Sequence, residues 1–347
     1  MNHLSSAHLA TRAAAVAALL AILIPGGAQA SLTGTGEFKI SVQTSGVATE
    51  PQVAMDDDGD SVVVWAADEA GASWGIFARR YDRDGLPQGA VIHVNITTAG
   101  LQIRPDVAVD ADGDFVVVWQ SRDQDGDGDG VYARVFDRLG NPLSGEILVN
   151  SHTAGNQTDP RVAVDGDGDF VVAWEGRGPI GMSPDVWVRR FSASGVPQGV
   201  EVRAPSSMSF HAGNPDVAMD PGGDFVVVFT RAAGGGGSDV FARRFSPFAA
   251  QGAEFTVNTF LQHTQGNPAV AMDDSGDFVV VWESFTQDGS DHGIYGQRFA
   301  AGGGKQGAEF QVHTFVEGIQ IRPTVAIDAD GDFVAAWQSP GPQGESS

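Results

Sequence analysis

The sequence predicts an all-β protein built from copies of one sheet. A phrase that reads as strand, acidic turn and strand recurs six times along the 347 residues, at intervals of 53 to 55 residues. A fixed period of this length indicates a repeat architecture. No stretch after residue 30 has the apolar spacing of an amphipathic helix. The copies begin at Pro51, Pro105, Pro160, Pro215, Pro268 and Pro323.

Four segments of each unit have the character of strands. In the second unit they are residues 106–110, 115–119, 131–136 and 146–150. The sixth unit has three such segments, at 309–312, 324–328 and 333–337. We therefore expect the last unit to be incomplete.

The second strand of each unit is apolar at nearly every position, as in Phe115–Trp119 and Phe170–Trp174. A strand with one solvent-exposed face would alternate apolar and polar residues. A continuous apolar run therefore indicates that both faces of the sheet are covered. Sheets stacked face to face around an axis provide that cover, and this arrangement is the β-propeller. We predict about six four-stranded blades in one domain spanning residues 31–347. An open β-repeat array or a solenoid is the alternative.

Residues 1–30 have the pattern of a secretory signal peptide. Arg12 precedes an apolar segment at 13–24, and Ala28-Gln29-Ala30 offers a small-residue cleavage site. Cleavage near Ala30 would place the chain in the periplasm or outside the cell. The sequence has no cysteine, which excludes disulfides and thiolate metal sites.

The chain is strongly acidic, with 44 acidic against 20 basic residues and a formal net charge of -24. This charge argues against a nucleic-acid partner, whose phosphates need basic patches. No segment after the signal is long and apolar enough for a membrane helix, so we expect no membrane insertion. The expected partner is an extracellular protein or a glycan.

The third strand of most units places an arginine between two aromatic residues, as in Tyr132, Arg134 and Phe136. A guanidinium in this position can stack on the rings and still reach an oxygen acceptor. A ring of ligand-binding arginines is one interpretation. Recurrence in nearly every unit favours the other, a structural arginine at the blade edge.

The turn between the first two strands is rich in aspartate. Glycine supplies the positive φ of a tight hairpin, and aspartate can close a turn on its own backbone. Calcium is the functional alternative, because carboxylates on one short loop are hard oxygen ligands. The candidate ligands in the first three turns are Asp56, Asp58, Asp60, Asp110, Asp112, Asp114, Asp165, Asp167 and Asp169.

A stronger calcium candidate is the long loop of the second unit. There, aspartates alternate with other residues, an arrangement that can wrap one ion. A solvated acidic loop is the alternative. The candidate ligands are Asp123, Asp125, Asp127 and Asp129. No cofactor other than calcium is indicated.

The repeat, with phrases such as Val107-Ala108-Val109-Asp110 followed by Gly113-Asp114-Phe115, resembles the propeller-forming repeats of large exported bacterial surface proteins. It is more distantly similar to integrin-type FG-GAP repeats, whose first hairpin carries a calcium loop. The acidic hairpin also resembles the structural Asp-box turn of sialidases. The first resemblance covers about 300 residues.

No catalytic constellation is evident in the sequence. The three tyrosines, Tyr81, Tyr132 and Tyr295, all occupy structural positions of the repeat, and no serine elbow, P-loop or paired-histidine motif occurs. An active site made from inserts would break the repeat length, which is nearly constant. The resulting hypothesis is a non-catalytic binding, adhesion or scaffold module that is not an enzyme. A glycan-processing hydrolase or lyase on a propeller scaffold is the alternative.

Overall fold

The computed structural model describes residues 40, 47–69, 73–177, 184–206, 211–233 and 236–340. In this part of the chain there are 22 strands and no helix. Five sheets have four antiparallel strands in chain order, and a sixth has two. These sheets are blades 1 to 6. The predicted signal peptide lies outside the described residues.

The blades have the following strands. Blade 1 contains β1 (Ala48–Met55), β2 (Ser61–Glu69), β3 (Ser73–Tyr81) and β4 (Pro87–His93). Blade 2 contains β5 (Gln102–Val109), β6 (Phe115–Arg122), β7 (Asp129–Phe136) and β8 (Ile147–Leu148). Blade 3 contains β9 (Gln157–Val164), β10 (Phe170–Gly176), β11 (Asp185–Phe191) and β12 (Val202–Arg203).

The second half of the chain repeats this pattern. Blade 4 contains β13 (Ala212–Met219), β14 (Phe225–Ala232), β15 (Ser238–Phe245) and β16 (Phe255–Thr256). Blade 5 contains β17 (Gln265–Met272), β18 (Phe278–Phe285), β19 (His292–Phe299) and β20 (Lys305–Gln311), and blade 6 contains β21 (Ile321–Ile327) and β22 (Phe333–Gln338). The segment at 309–312, predicted in the sixth unit, pairs with β19 and so completes blade 5.

The blades form a closed ring. The first strands of all six blades line one small apolar cavity of about 120 Å³ on the ring axis. An open array or a solenoid could not bring β1 and β21 to the same cavity. The predicted β-propeller with an incomplete last blade is therefore confirmed.

The hydrophobic core lies between neighbouring blades. Along β6, Val117 and Trp119 belong to the cluster shared with blade 1, whereas Val116 and Val118 belong to the cluster shared with blade 3. Both faces of the strand are therefore covered, as its continuous apolar run predicts. Burial of each such side chain is worth roughly 1.5–3 kcal/mol relative to exposure.

The third-strand arginines join consecutive blades. Arg134 Nη1 donates to the carbonyl oxygen of Val94 at 2.6 Å, and Arg189 Nη1 donates to that of Val149 at 2.9 Å. Each acceptor directly follows the outer strand of the preceding blade. Arg134 also lies over the ring of Phe136, 5.2 Å from its centroid. These contacts show a structural role for the repeated arginine.

Residue 40 occupies the equivalent place before blade 1. The carbonyl oxygen of Ile40 accepts from Arg79 Nη1 at 3.4 Å, and its side chain packs on the outer cluster of blade 1. Val94 and Val149 make the same contact one blade further on. Ile40 therefore makes, before blade 1, the contact that Val94 and Val149 make after the outer strands of blades 1 and 2.

Candidate active site in the central cavity

The acidic turns predicted as possible metal sites close on their own backbone. Asp56 Oδ1 accepts the N–H of Asp58 at 3.0 Å and that of Asp60 at 2.8 Å. The first aspartate of each other turn makes the same two bonds, to residues two and four positions later. These residues are Asp110, Asp165, Asp220, Asp273 and Asp328.

The last aspartate of the turn contacts the second hairpin of the same blade. Asp114 Oδ1 accepts the N–H of Arg138 at 2.8 Å, and Asp169 Oδ1 accepts that of Ala193 at 2.9 Å. The middle acids Asp58, Asp112 and Asp167 are exposed. The turns therefore have the hydrogen bonds expected when aspartate closes a hairpin on its own backbone.

The carboxylates of the 123–129 loop point to separate protein donors. Asp125 Oδ2 accepts from Asn150 Nδ2 at 3.1 Å, Asp127 Oδ2 from the N–H of Gly155 at 3.1 Å, and Asp129 Oδ1 from Arg122 Nε at 3.1 Å. Asp123 begins the loop with a φ of 60°. Across the described ranges, no three acidic or histidine side chains are grouped so that they could hold a metal ion. Calcium at this loop stays a prediction, which melting with and without a chelator tests.

Blade 5 contains a loop built in the same way. Asp288 Oδ2 lies 2.9 Å from Nε2 of His313, and both side chains are almost fully buried. His313 stands where blade 2 has Asn150, and each accepts a backbone N–H from the third strand of its blade. The aspartate at this loop position therefore has a structural partner in both blades.

Sequence reasoning missed a feature at the opposite rim. The residue before each repeat proline has a positive φ of 46–54°, and β1, β5, β9, β13, β17 and β21 each have a register shift there. Such conformations in residues other than glycine cost on the order of 1–3 kcal/mol and often occur at functional sites. The six residues are Glu50, Arg104, Asp159, Asn214, Asn267 and Arg322.

These six residues surround the mouth of a cavity on the ring axis, hereafter the central cavity. It consists of two adjoining hollows of about 560 Å³ and 300 Å³. Both hollows are lined by Gln52, Asp159, Arg161, Arg322 and Thr324. The cavity opens on the rim that carries the longer loops, and the apolar axial cavity lies beneath it.

Arg104 links two carboxylates of the central cavity, one through its backbone N–H and the other through its guanidinium. The backbone N–H of Arg104 donates to Glu50 Oε2 at 2.7 Å, and its side chain forms an ion pair with Asp159. The three residues come from the consecutive blades 1, 2 and 3, so the packing of neighbouring blades places them together.

A third carboxylate, Glu175, follows β10's tryptophan and lies beside Asp159. Burial raises the pKa of Glu175, and the negative charge of Asp159 raises it further, against the opposing effects of the Asn214 N–H, His211 and Arg104. His211 Nε2 lies 3.6 Å from Glu175 Oε1. The Glu175 side chain is 22% exposed, so it remains accessible to solvent. The site thus holds a carboxyl whose pKa is raised by burial next to one that is ion-paired with Arg104.

Glu283 is the counterpart of Glu175 in blade 5. Its Oε1 accepts the N–H of Arg322 at 2.6 Å, as Glu175 accepts the N–H of Asn214. Glu283 is buried, with 6% exposure. The shared role is to hold the bulge of the next blade, and Glu175 combines this role with proximity to Asp159.

The sequence matches no known protein family and no curated protein. Solved structures do share the fold. An alpha-L-arabinanase from Penicillium chrysogenum, complexed with arabinobiose, has 14% identity and a TM-score of 0.57, covering 84% of this chain and 92% of the arabinanase. An ulvan lyase bound to -[GlcA(1-4)Rha3S]- has 11% identity and a TM-score of 0.55, covering 82% and 77% of the two chains.

A protein of unknown function from Dyadobacter fermentans is also similar, with 11% identity and a TM-score of 0.56, covering 84% of this chain and 94% of its own. At these identities the likeness establishes the propeller fold. The resemblance to surface-protein repeats is not addressed by these structures and stays an expectation. The part of the chain that the structure describes contains no helix long and apolar enough to cross a membrane.

The comparisons correct the functional hypothesis. The arabinanase and the ulvan lyase are glycan-processing enzymes on this scaffold, which contradicts a non-catalytic binding, adhesion or scaffold module and the expectation that the chain is not an enzyme. The expectation of no active site assumed that catalytic residues would lie on inserts that break the repeat length. The polar residues of the central cavity instead differ at one fixed position of the repeat, so they leave the period unchanged.

Proposed function

We propose that the chain is a glycan-processing enzyme whose active site is the central cavity. The observation that carries this proposal is the pair of neighbouring carboxyl groups on Asp159, which is ion-paired with Arg104, and on Glu175, whose pKa is raised by burial. Pairs of this kind divide acid and base roles between two residues. The shared fold of the arabinanase and the ulvan lyase supports it.

In a hydrolase, Glu175 would donate its proton to the glycosidic oxygen as the bond to the leaving sugar breaks. Asp159, ion-paired with Arg104, would take a proton from the attacking water or attack the sugar itself. Glu50 lines the same hollow and would orient sugar hydroxyl groups by accepting their hydrogen bonds. Removal of a positioned acid or base costs roughly 10²–10⁴-fold in rate.

A lyase is the second candidate, because Arg161 and Arg322 line the cavity near Asp159. An arginine can neutralise a sugar carboxylate, which acidifies the adjacent C–H bond. Asp159 would then remove that proton while Glu175 protonates the departing oxygen, which leaves an unsaturated sugar. The product therefore distinguishes the two reactions.

The test is a screen of the purified chain on neutral and acidic polysaccharides, measuring new reducing ends and the ultraviolet absorbance of unsaturated products. We expect cleavage that Glu175→Gln reduces by about 10²–10⁴-fold. Glu283→Gln is the matched control, since it changes the equivalent residue of blade 5 and should retain activity. No cleavage of any glycan, or equal loss in both variants, would overturn the proposal.

A further inference from the structure

Three arginines line the central cavity, and they differ in their partners. Arg104 forms an ion pair with Asp159. Arg161 Nη1 donates at 2.8 Å to the carbonyl oxygen of Pro160, its own neighbour in the chain. Among the described residues, the Arg322 guanidinium has no hydrogen-bond, ion-pair or ring partner; only its backbone N–H is bonded, to Glu283. Two guanidinium groups therefore line the cavity without a carboxylate.

This arrangement is unusual for so acidic a chain. With 44 acidic and 20 basic residues, a cation could easily be paired. Arg203, Arg231 and Arg190 are each paired with a carboxylate elsewhere in the fold. Leaving two arginines unpaired in one concave site creates a local positive potential that favours an anion.

The two guanidinium groups without a carboxylate partner line the same cavity. Arg161 and Arg322 each line both hollows of the central cavity, together with the polar side chains of Gln52 and Thr324. Arg161 follows Pro160 on β9, and Arg322 precedes Pro323 on β21, so the ring brings blades 3 and 6 to the same mouth. A guanidinium presents a planar fork of donors that matches a carboxylate or a sulfate.

The negative charges of the site do not prevent anion binding there. Asp159 is ion-paired with Arg104, and burial raises the pKa of Glu175. Glu50 Oε2 accepts the Arg104 N–H, so one of its oxygens is already occupied. Among the residues that the structure describes, Arg161 and Arg322 are thus the arginines of the cavity whose guanidinium groups have no carboxylate partner.

We propose that Arg161 and Arg322 bind the anionic group of an acidic sugar, a uronate carboxylate or a sulfate ester. This inference rests on the proposed function and specifies its substrate class. The anion would hold the sugar so that the scissile bond lies against Asp159 and Glu175. Arg161 and Arg322 are then specificity residues, which act on binding more than on the chemical step.

The test measures binding separately from cleavage, by calorimetric titration of the Glu175→Gln protein. The probes are an oligoglucuronate, a sulfated neutral oligosaccharide and an arabino-oligosaccharide. We expect one or both acidic probes to bind, and their affinities identify whether the anion is a carboxylate or a sulfate. Arg161→Gln and Arg322→Gln should each weaken that binding by about 10–100-fold, as loss of charge-assisted hydrogen bonds does.

Two controls separate this effect from a structural one. Arg138→Gln changes an arginine on the acidic-turn rim and should leave binding unchanged. Arg161→Lys keeps the charge but not the fork, so it should recover part of the affinity, and melting curves should match the parent protein.

The outcomes distinguish this inference from the proposed function. Binding of the acidic probes without cleavage by the wild-type chain would support the anion site and overturn the enzyme. Cleavage of neutral glycans that both arginine variants retain would support the enzyme and overturn the anion site. Equal affinity for neutral and acidic probes would also overturn it.

Discussion

The two rims of the propeller are built from the same repeat, but one rim repeats the same residues and the other varies them. On the acidic-turn rim, the first aspartate of every turn accepts two backbone N–H groups of its own turn. On the central-cavity rim, the residue before each repeat proline keeps one backbone conformation but varies among acids, arginines and asparagines: Glu50, Arg104, Asp159, Asn214, Asn267 and Arg322. Identity at a repeated position indicates a structural role, and variation on a constant backbone indicates a site.

The comparison predicts opposite outcomes for two aspartate substitutions. Asp159→Asn removes the charge beside Glu175 and should reduce glycan cleavage by roughly 10²–10⁴-fold with little change in stability. Asp110→Ala deprives two backbone N–H groups of their acceptor and should lower the free energy of unfolding by about 1–3 kcal/mol while activity is retained. Activity assays measure the loss of cleavage in both variants, and chemical denaturation measures the change in their free energy of unfolding. A loss of activity confined to Asp110→Ala would reverse the assignment of the rims.

The acidic hairpins were predictable because glycine and aspartate act locally. Gly113 has the positive φ that the turn needs, and Asp110 closes the turn within four residues. The all-apolar second strand likewise predicts covered faces without knowledge of the neighbours. Fold class, repeat boundaries and the incomplete last blade all follow from patterns that short segments display.

The central cavity was not predictable in the same way. Asp159 and Glu50 are 109 positions apart in the chain and become neighbours of Arg104 only when blades 1, 2 and 3 pack side by side. The residue before a proline normally adopts extended backbone, so the sequence does not signal a positive φ there. Glu175 directly follows a core tryptophan, and its position in the sequence does not distinguish it from the other residues of the strand.

The rims should also differ in their tolerance of side chains at positive φ. A Cβ on Gly113 would lie 3.2 Å from both Asp56 Oδ2 of blade 1 and the Arg138 Cβ. Gly113→Ala should therefore destabilise the fold by about 1–3 kcal/mol. Asn267 faces the open cavity, and asparagine adopts this conformation readily, so Asn267→Gly should change stability by less than about 0.5 kcal/mol. Equal effects in denaturant titrations would show that the two rims are equally constrained.

The acidic-turn rim should respond to pH through Asp110. Burial raises the pKa of Asp110 from 3.8 to about 6 in the folded chain, so the folded state holds the proton more tightly than the unfolded state. Its stabilising contribution is therefore present below pH 3.8 and is lost as the pH rises through about 6. Asp110→Asn keeps the Oδ1 acceptor and removes the charge. We expect the variant to lose less stability than the wild type between pH 4 and pH 6 in parallel melting curves, and identical slopes would contradict this.

The most direct test of the central claim is a crystal structure of the Glu175→Gln protein with an oligosaccharide that the wild-type chain cleaves. We predict that the sugar occupies the central cavity, with its glycosidic oxygen next to residue 175 and an anionic group on Arg161 and Arg322. Sugar bound instead at the 123–129 loop or on the acidic-turn rim, with the central cavity free of it, would contradict the account.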